Sequence, residues 1–141
     1  MNIETCRRML LNHYDKLKFE ESSDDSRVRL TAKGVHFKSF DDDVRFEFSF
    51  NKNGAASVTI IFDSLEPTKY NYDLINAFND NIGFLKAYLT ERNGHHFFAI
   101  EHYAYEVVSE ENAVSTLVAM IDMILSDRVK EYLLPIVRIT E

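Results

Sequence analysis

The stretch NGHHFFAIEHYAY, residues 93–105, places three histidines and a glutamate among aromatic side chains. Imidazole and carboxylate groups bind Zn²⁺ and carry out acid–base catalysis, so this stretch is the first candidate for chemistry. In a β-strand, however, successive residues alternate faces at about 3.3 Å per residue. His96 and His102 would lie about 20 Å apart along the strand, too far for one ion whose ligands sit about 2 Å away, and His95 would point to the opposite face. The stretch by itself therefore predicts no metal site.

Other patterns that carry chemistry are weak or missing. The acidic runs at 22–25 and 41–43 offer clustered oxygen ligands, but neither has the spaced acids and glycine of a calcium-binding loop. The sequence has no Gly-rich phosphate loop, HExxH motif or CxxC motif. We therefore predict no catalytic residue, no cofactor-binding residue and no metal ligand. One alternative stays open, a small enzyme in which His36 or His102 meets acids from another strand only in the folded chain.

The turn signal Asn93-Gly94 predicts a two-residue hairpin. With this turn, one side of the hairpin pairs Leu89 with Phe98, Ala87 with Ile100, and Leu85 with His102. The other side pairs Tyr88 with Ala99, Lys86 with Glu101, and Phe84 with Tyr103, while Glu91 falls opposite His96. The Lys86–Glu101 pair accounts for these charges without chemistry, because such cross-strand pairs contribute about 0.2–1 kcal/mol each.

The second side of this hairpin carries an aromatic patch, which we predict to be a partner or dimer surface. Its residues are Phe84, Tyr88, Phe97, Tyr103 and Tyr105. A monomer seldom leaves such a patch exposed to water, and aromatic side chains are enriched at interfaces. The alternative is that a helix of the same chain covers the patch.

Bulk properties limit the function classes. The chain has 141 residues, 45% of them hydrophobic, and a net charge of −7, which fits a single domain over residues 1–141. An acidic chain without a basic stripe is a poor candidate for nucleic acid or an anionic membrane, and no apolar stretch approaches the roughly 20 residues that span a bilayer. Cys6 is the only cysteine, so no internal disulfide can form. We expect Cys6 to be an apolar helix residue and the protein to be cytoplasmic.

The first half of the chain predicts a helix and four strands. Apolar residues recur at helical spacing over 2–18, and a polar connection follows at 20–26. Alternating patterns then predict strands at 27–32, 35–40, 44–50 and 55–62. The predicted connections are a Lys33-Gly34 turn, an Asp41-Asp42 turn and a three-residue loop at 52–54.

Strand register follows from keeping the apolar residues on one face, because a slip by one residue exposes the whole set. The loop at 52–54 pairs Phe48 with Val58, Phe46 with Ile60, and Val44 with Phe62. The Asp41-Asp42 turn pairs Phe37 with Phe46 and Val35 with Phe48. Residues 27–63 are thus predicted to form a four-stranded meander with one apolar face.

The second half predicts a helix at 70–81, the hairpin, and a long final helix that Ser109 caps and Pro135 limits. The apolar stripe of the final helix is Val114, Leu117, Val118, Ile121, Ile124 and Leu125. The predicted fold class is α+β, an antiparallel β-sheet packed with helices.

Residues 74–122 contain a set of short motifs that occur together in one bacterial family. The motifs are Asn76 with Asn79 or Asn81 near the end of a helix, an FxKAYL strand, a turn with glycine, and Ser-Glu-Glu-Asn at the start of the last helix. The matching residues are Phe84, Lys86, Ala87, Tyr88, Leu89, Gly94, Ser109, Glu111 and Asn112. In these residues the chain resembles the YbjN-like family.

The resemblance implies a fold similar to that of type III secretion chaperones: helix, three strands, helix, two strands, helix, often as a homodimer. This chain departs from that order in having four strand-like runs before the middle helix, so we expect α-β-β-β-(β)-α-β-β-α. Family members resemble non-enzymatic interaction or regulatory proteins, and the family implies no catalytic residues.

These observations favour a non-enzymatic, chaperone-like or regulatory protein-binding module, acting as a homodimer on a protein partner or client. Binding would bury aromatic and aliphatic side chains, with a strand of the client added at a free sheet edge. The acidic net charge favours a basic partner. Besides the small enzyme, a structural or regulatory protein of a mobile element remains an alternative.

Overall fold

The computed structural model describes residues 3–13, 17–35, 43–51, 55–104 and 110–137. Its elements are α1 (Ile3–His13), β1 (Phe19–Ser23), β2 (Arg27–Val35), β3 (Val44–Asn51), β4 (Ala56–Ser64), α2 (Lys69–Asn81), β5 (Lys86–Arg92), β6 (His95–Ala104), α3 (Glu110–Ile124) and α4 (Asp127–Leu133). The six strands form one antiparallel sheet in the order β1-β2-β3-β4-β6-β5. The predicted α+β class and the broad order of elements are confirmed.

The N-terminal strands differ from the prediction. The segment predicted as a polar connection contains most of β1, which pairs with β2. Asp24 closes the turn between these strands, because its carboxylate accepts the backbone N–H groups of Ser26 and Arg27 at 2.8 and 3.0 Å. The predicted Lys33-Gly34 turn is wrong, because both residues lie inside β2, where the register shifts between Ala32 and Val35. A glycine within a strand often marks such a bulge.

The predicted register between 27–40 and β3 is consequently wrong as well. Phe48 pairs with Leu30, Phe46 pairs with Ala32, and Val35 pairs with Val44. Residues 36–42, which include the predicted Asp41-Asp42 turn and Phe37, lie outside the described residues.

The other two registers match the prediction. Phe46 faces Ile60 and Phe48 faces Val58, although the loop at 52–54 lies outside the described residues. In the β5–β6 hairpin, Leu89 faces Phe98, Ala87 faces Ile100, and Lys86 faces Glu101. Asn93 and Gly94 have φ of 53° and 80°, the left-handed pair that a tight two-residue hairpin needs.

The helices pack on one face of the sheet. The core combines alternate strand residues with residues from all four described helices; its fully buried members include Leu10, Phe46, Phe48, Phe78, Phe98, Met120 and Leu133. Cys6 is 0% exposed within this core, in keeping with an apolar helix residue.

Helix boundaries also differ in part from the prediction. α1 spans Ile3–His13, and Leu17 and Lys18 lie outside it. α2 matches the predicted helix within one residue. The hydroxyl of Thr68 caps α2 by accepting the N–H of Asn71. The predicted long final helix is two helices, because the chain turns at Leu125–Ser126 before α4 begins. None of the described helices is long and apolar enough to cross a membrane.

Candidate functional site on the open face of the sheet

The face of the sheet that points away from the described helices, here called the open face, holds buried polar residues. It is formed by Arg29, Thr31, Lys33, Arg45, Glu47, Thr59, Ile61, Lys86, Tyr88, Arg92, Phe97, Ala99, Glu101 and Tyr103. Thr31, Glu47, Thr59, Ile61 and Ala99 are at most 7% exposed, yet none of them belongs to the helix-packed core. Something other than the described helices must therefore shield them from water.

The sheet is strongly coiled on this side. Lys86, Glu101, Thr59 and Glu47 lie in one row across the strands, and Arg92 is six residues further along β5 than Lys86. In a flat sheet, Arg92 and Glu47 would be three strands and six residues apart, and about 24 Å would separate their Cα atoms. Yet the guanidinium of Arg92 donates to both carboxylate oxygens of Glu47, at 2.8 and 3.0 Å. The sheet must twist and coil so that the end of the β5–β6 hairpin leans over the open face.

Glu47 is the centre of a charge cluster. Besides the two-pronged contact from Arg92, its Oε1 lies 3.0 Å from Nη2 of Arg45. Burial alone would raise the pKa of Glu47, but the hydrogen bond from Arg92 and the charges of Arg92, Arg45 and Arg29 together hold that pKa below its ordinary value. Glu47 is therefore an ionised, structural carboxylate and a poor candidate for a proton donor or acceptor near neutral pH.

A second polar group, around Glu101, combines side chains from β4, β5 and β6. Tyr88 donates its hydroxyl hydrogen to Glu101 at 2.9 Å, and Thr59 donates to the same oxygen at 3.3 Å. Burial, followed by the charge of Glu101 and its hydrogen bond, raises the pKa of Tyr88 to about 12. Lys86 faces Glu101 in register, as predicted, but its Nζ lies over the Tyr88 ring, 5.7 Å from the centroid. The partners of Glu101 are hydroxyl groups, which the sequence pairing did not predict.

The predicted aromatic surface is divided by the structure. Phe84 and Tyr103 are 46% and 42% exposed, whereas Tyr88 and Phe97 are half-buried on the open face. Tyr105 lies outside the described residues. No described helix covers the patch, because neither Tyr88 nor Phe97 is among the residues that pack against the helical core.

A cleft of about 380 Å³ opens where the hairpin leans over the start of β3. Its walls are Lys33, Asp43, Val44, Arg45, Ile61, Phe62, Asp63, Arg92, Asn93, His95 and Phe97. Register shifts in β2 (Ala32 to Val35) and in β4 (Ile61 to Ser64) flank it. Bulges bend strands and are frequent beside binding sites, and the volume is within the range of small-ligand sites.

His95 lines the cleft together with Asp43 and Asp63, whereas His102 and His96 have other surroundings. Nδ1 of His102 lies 3.2 Å from the carbonyl oxygen of Phe84, and the cavity beside His102 holds only about 10 Å³ and is lined by no carboxylate. His96 lies 3.7 Å from its cross-strand partner Glu91. Within the described residues, no group of three or more His, Cys, Asp or Glu side chains is arranged to hold a metal ion. His36 lies outside them.

The two edges of the sheet are different. On β5, the Asn79 side chain accepts the N–H of Ala87 and donates to its C=O, both at 2.8 Å, so an amide from α2 occupies the position of a neighbouring strand. On β1, the N–H of Asp24 donates to the carbonyl oxygen of Arg27 at the end of β2. The N–H and C=O groups of successive residues point alternately toward the paired strand and away from it, so those of Phe19, Glu21 and Ser23 point away from β2. The outer edge of β1 is therefore the more accessible one.

Comparison of the chain with models of protein families, with curated proteins and with solved structures found no match. The resemblance to the YbjN-like family stays a prediction. The case for function consequently depends on the geometry of the open face and of the sheet edges.

Sequence reasoning missed Glu47, Arg45 and Arg92, and it named Asn79 only as one of the residues of the family resemblance, without its contact to β5. In the sequence, Glu47, Arg45 and Arg92 stand out only as polar positions that alternate with apolar ones, a pattern that is typical of any half-buried strand. One signal was available for Asn79: it stands one turn after Ile75 on α2, at the boundary of the buried stripe formed by Ile75 and Phe78.

Proposed function

We propose that the protein is a cytoplasmic, non-enzymatic binding module that recognises another polypeptide and acts as a homodimer. The observation that supports this proposal best is the open face, where arginine and aromatic side chains lie together on a sheet surface that no described helix covers. The cytoplasmic location is supported by the single buried cysteine, which cannot form a disulfide within the chain.

The residue types of the open face fit a protein interface. Arginine and tyrosine are the residues most enriched, with tryptophan, at the energetic centres of interfaces, and phenylalanine is enriched at interfaces in general. Arg29, Arg45 and Arg92 lie on the same face as Tyr88, Phe97 and Tyr103. Tyr103 and Phe84 would lose the most water on binding, because they are the most exposed of the predicted surface residues.

The free edge of β1 supplies a second mode of contact with a client. An extended segment adds to a sheet by pairing with outward backbone groups, here those of Phe19, Glu21 and Ser23. Glu20 and Glu21 disfavour antiparallel pairing of two β1 strands from two copies, since like charges would fall opposite each other. A client strand with basic side chains fits this edge better.

The dimer proposal is tested by size-exclusion chromatography with light scattering. We expect a dimer for the wild type and a monomer for Tyr103→Asp, because a charge would be buried in the interface. The matched control is Tyr70→Asp, which changes a tyrosine that is 70% exposed on α2, outside the open face. A wild-type monomer at high concentration, or a Tyr103→Asp variant that dimerises as well as the control, would contradict the proposal.

The client mode is tested by affinity capture followed by mass spectrometry. Glu21→Pro removes one outward N–H of β1 while leaving the hydrogen bonds between β1 and β2 in place, so we expect it to lose a strand-adding client. Glu91→Pro makes the same change on β5, because the backbone N–H of Glu91, like that of Ala87 four residues earlier, points away from β6. We expect this variant to retain the client. Equal capture by both proline variants would rule out strand addition at β1.

A further inference from the structure

The cleft beneath the hairpin presents guanidinium groups held in fixed positions. Arg92 and Arg45 both line it, and both are anchored from behind by the buried carboxylate of Glu47. Each of the two side chains is still about a third exposed. A guanidinium that is already positioned loses little conformational freedom when it binds an anion, which favours binding.

Two guanidinium groups, those of Arg45 and Arg92, contact the one carboxylate of Glu47, so the positive charge next to Glu47 exceeds what this carboxylate neutralises, while Asp43 and Asp63 add negative charge elsewhere in the lining. The charge of Arg29, on the same face of the sheet, also acts on Glu47. Arg45 contacts Glu47 through Nη2 and is about a third exposed, and a guanidinium carries five N–H donors in all. The exposed donors of Arg45 beside the cleft suit an incoming oxyanion.

The other walls of the cleft limit the kind of anion. Ile61, Phe62, Val44 and Phe97 supply apolar surface beside the arginines. Asp43 and Asp63 are exposed at the same cleft and would repel a ligand with several negative charges. The combination disfavours nucleotides and other polyanions, and it favours one carboxylate attached to an apolar body.

We propose that this cleft binds a small organic monocarboxylate, with its carboxylate on Arg45 and Arg92 and an aromatic or branched aliphatic body against Ile61 and Phe97. The cleft shares Arg45, Arg92 and Phe97 with the open face, on which the proposed partner surface lies, but the ligand itself needs neither a dimer nor the outer edge of β1. It adds a small-molecule ligand to a protein-binding module.

The experiment uses phenylacetate as the probe and follows the backbone amides of the wild-type protein by two-dimensional NMR during a titration at neutral pH. We expect millimolar binding, with the largest shifts at Arg45, Ile61, Arg92 and Phe97. The neutral analogue phenylacetamide should bind at least about tenfold more weakly, because it lacks the charge-assisted hydrogen bonds.

Arg45→Gln should weaken phenylacetate binding about tenfold, and Arg29→Gln is the matched control. Arg29 lies on the same face and carries the same charge, but it does not line the cleft. Equal binding of phenylacetate and phenylacetamide, shifts outside the cleft, or equal weakening by both glutamine variants would overturn the proposal. The wild-type shift map and the amide comparison test it even where Arg45→Gln is poorly folded.

Discussion

The contact between Arg92 and Glu47 holds the coiled shape of the sheet, so its removal should destabilise the protein in a pH-dependent way. Removing one partner of a buried ion pair typically costs about 3–5 kcal/mol. Two observations reduce that figure here: Arg92 is 35% exposed, and Arg45 remains 3.0 Å from Glu47 as a second counter-charge. We therefore expect Arg92→Gln to lower the free energy of unfolding by about 2 kcal/mol at neutral pH.

The pH dependence follows from the ionisation of Glu47. Its pKa in the folded protein is held below the ordinary value of 4.5, so the ionised form contributes stability above that value and the contribution is lost as the pH falls through the folded-state pKa. Arg92→Gln removes much of this depression. The difference between wild type and variant should therefore be largest at neutral pH and should shrink below about pH 4.

The assay is urea denaturation followed by circular dichroism at several pH values. Arg27→Gln is the control, because Arg27 is an exposed arginine whose ion pair with Asp24 is 3.8 Å long, and it should change stability by less than about 0.5 kcal/mol. An Arg92→Gln variant that behaves like this control, or a loss that is the same at acidic and neutral pH, would refute the assignment of Arg92 as the residue that fastens the hairpin.

Three further changes test other contacts by the same unfolding assay. Asn79→Ala should cost about 1–2 kcal/mol, since it removes both hydrogen bonds to Ala87, whereas Asn81→Ala, which removes a hydrogen bond to Ala77 of the same helix, should cost less. Gly94→Ala should cost about 1 kcal/mol because φ is 80° there, and Gly83→Ala should be nearly neutral because a Cβ at that position meets no atom within 4 Å. Wild-type stability should fall as the pH rises from about 10 to about 12, because tyrosine ionises first in the unfolded chain, and Tyr88→Phe should weaken that fall. A pH profile unchanged by Tyr88→Phe would show that Tyr88 ionises normally.

The elements that the sequence predicted well are those in which a short turn fixes the register. Asn93-Gly94 determines which residues of β5 and β6 face each other, and the apolar alternation on both sides allows only one pairing. The same reasoning placed Phe46 opposite Ile60. Local backbone chemistry and a single apolar face were sufficient in both cases.

The errors come from places where local signals compete. The glycine at position 34 suggested a turn, but it lies in the irregular part of β2, and the polar composition of residues 20–23 concealed an edge strand that needs few apolar residues. The two networks of the open face were not predictable for another reason. Glu47 and Arg92 are 45 residues apart, and their contact depends on the coil of the whole sheet.

The order of the strands has a consequence for how the chain folds. β1 to β4 form a meander of neighbours in sequence, and β5 and β6 form a second local unit, but the two units meet along the pairing of β4 with β6. Ile60 and Ile100, which face each other there and are almost fully buried, are 40 residues apart. Closing such a long loop costs more chain entropy than closing a hairpin turn, so we expect the docking of the two units to set the refolding rate.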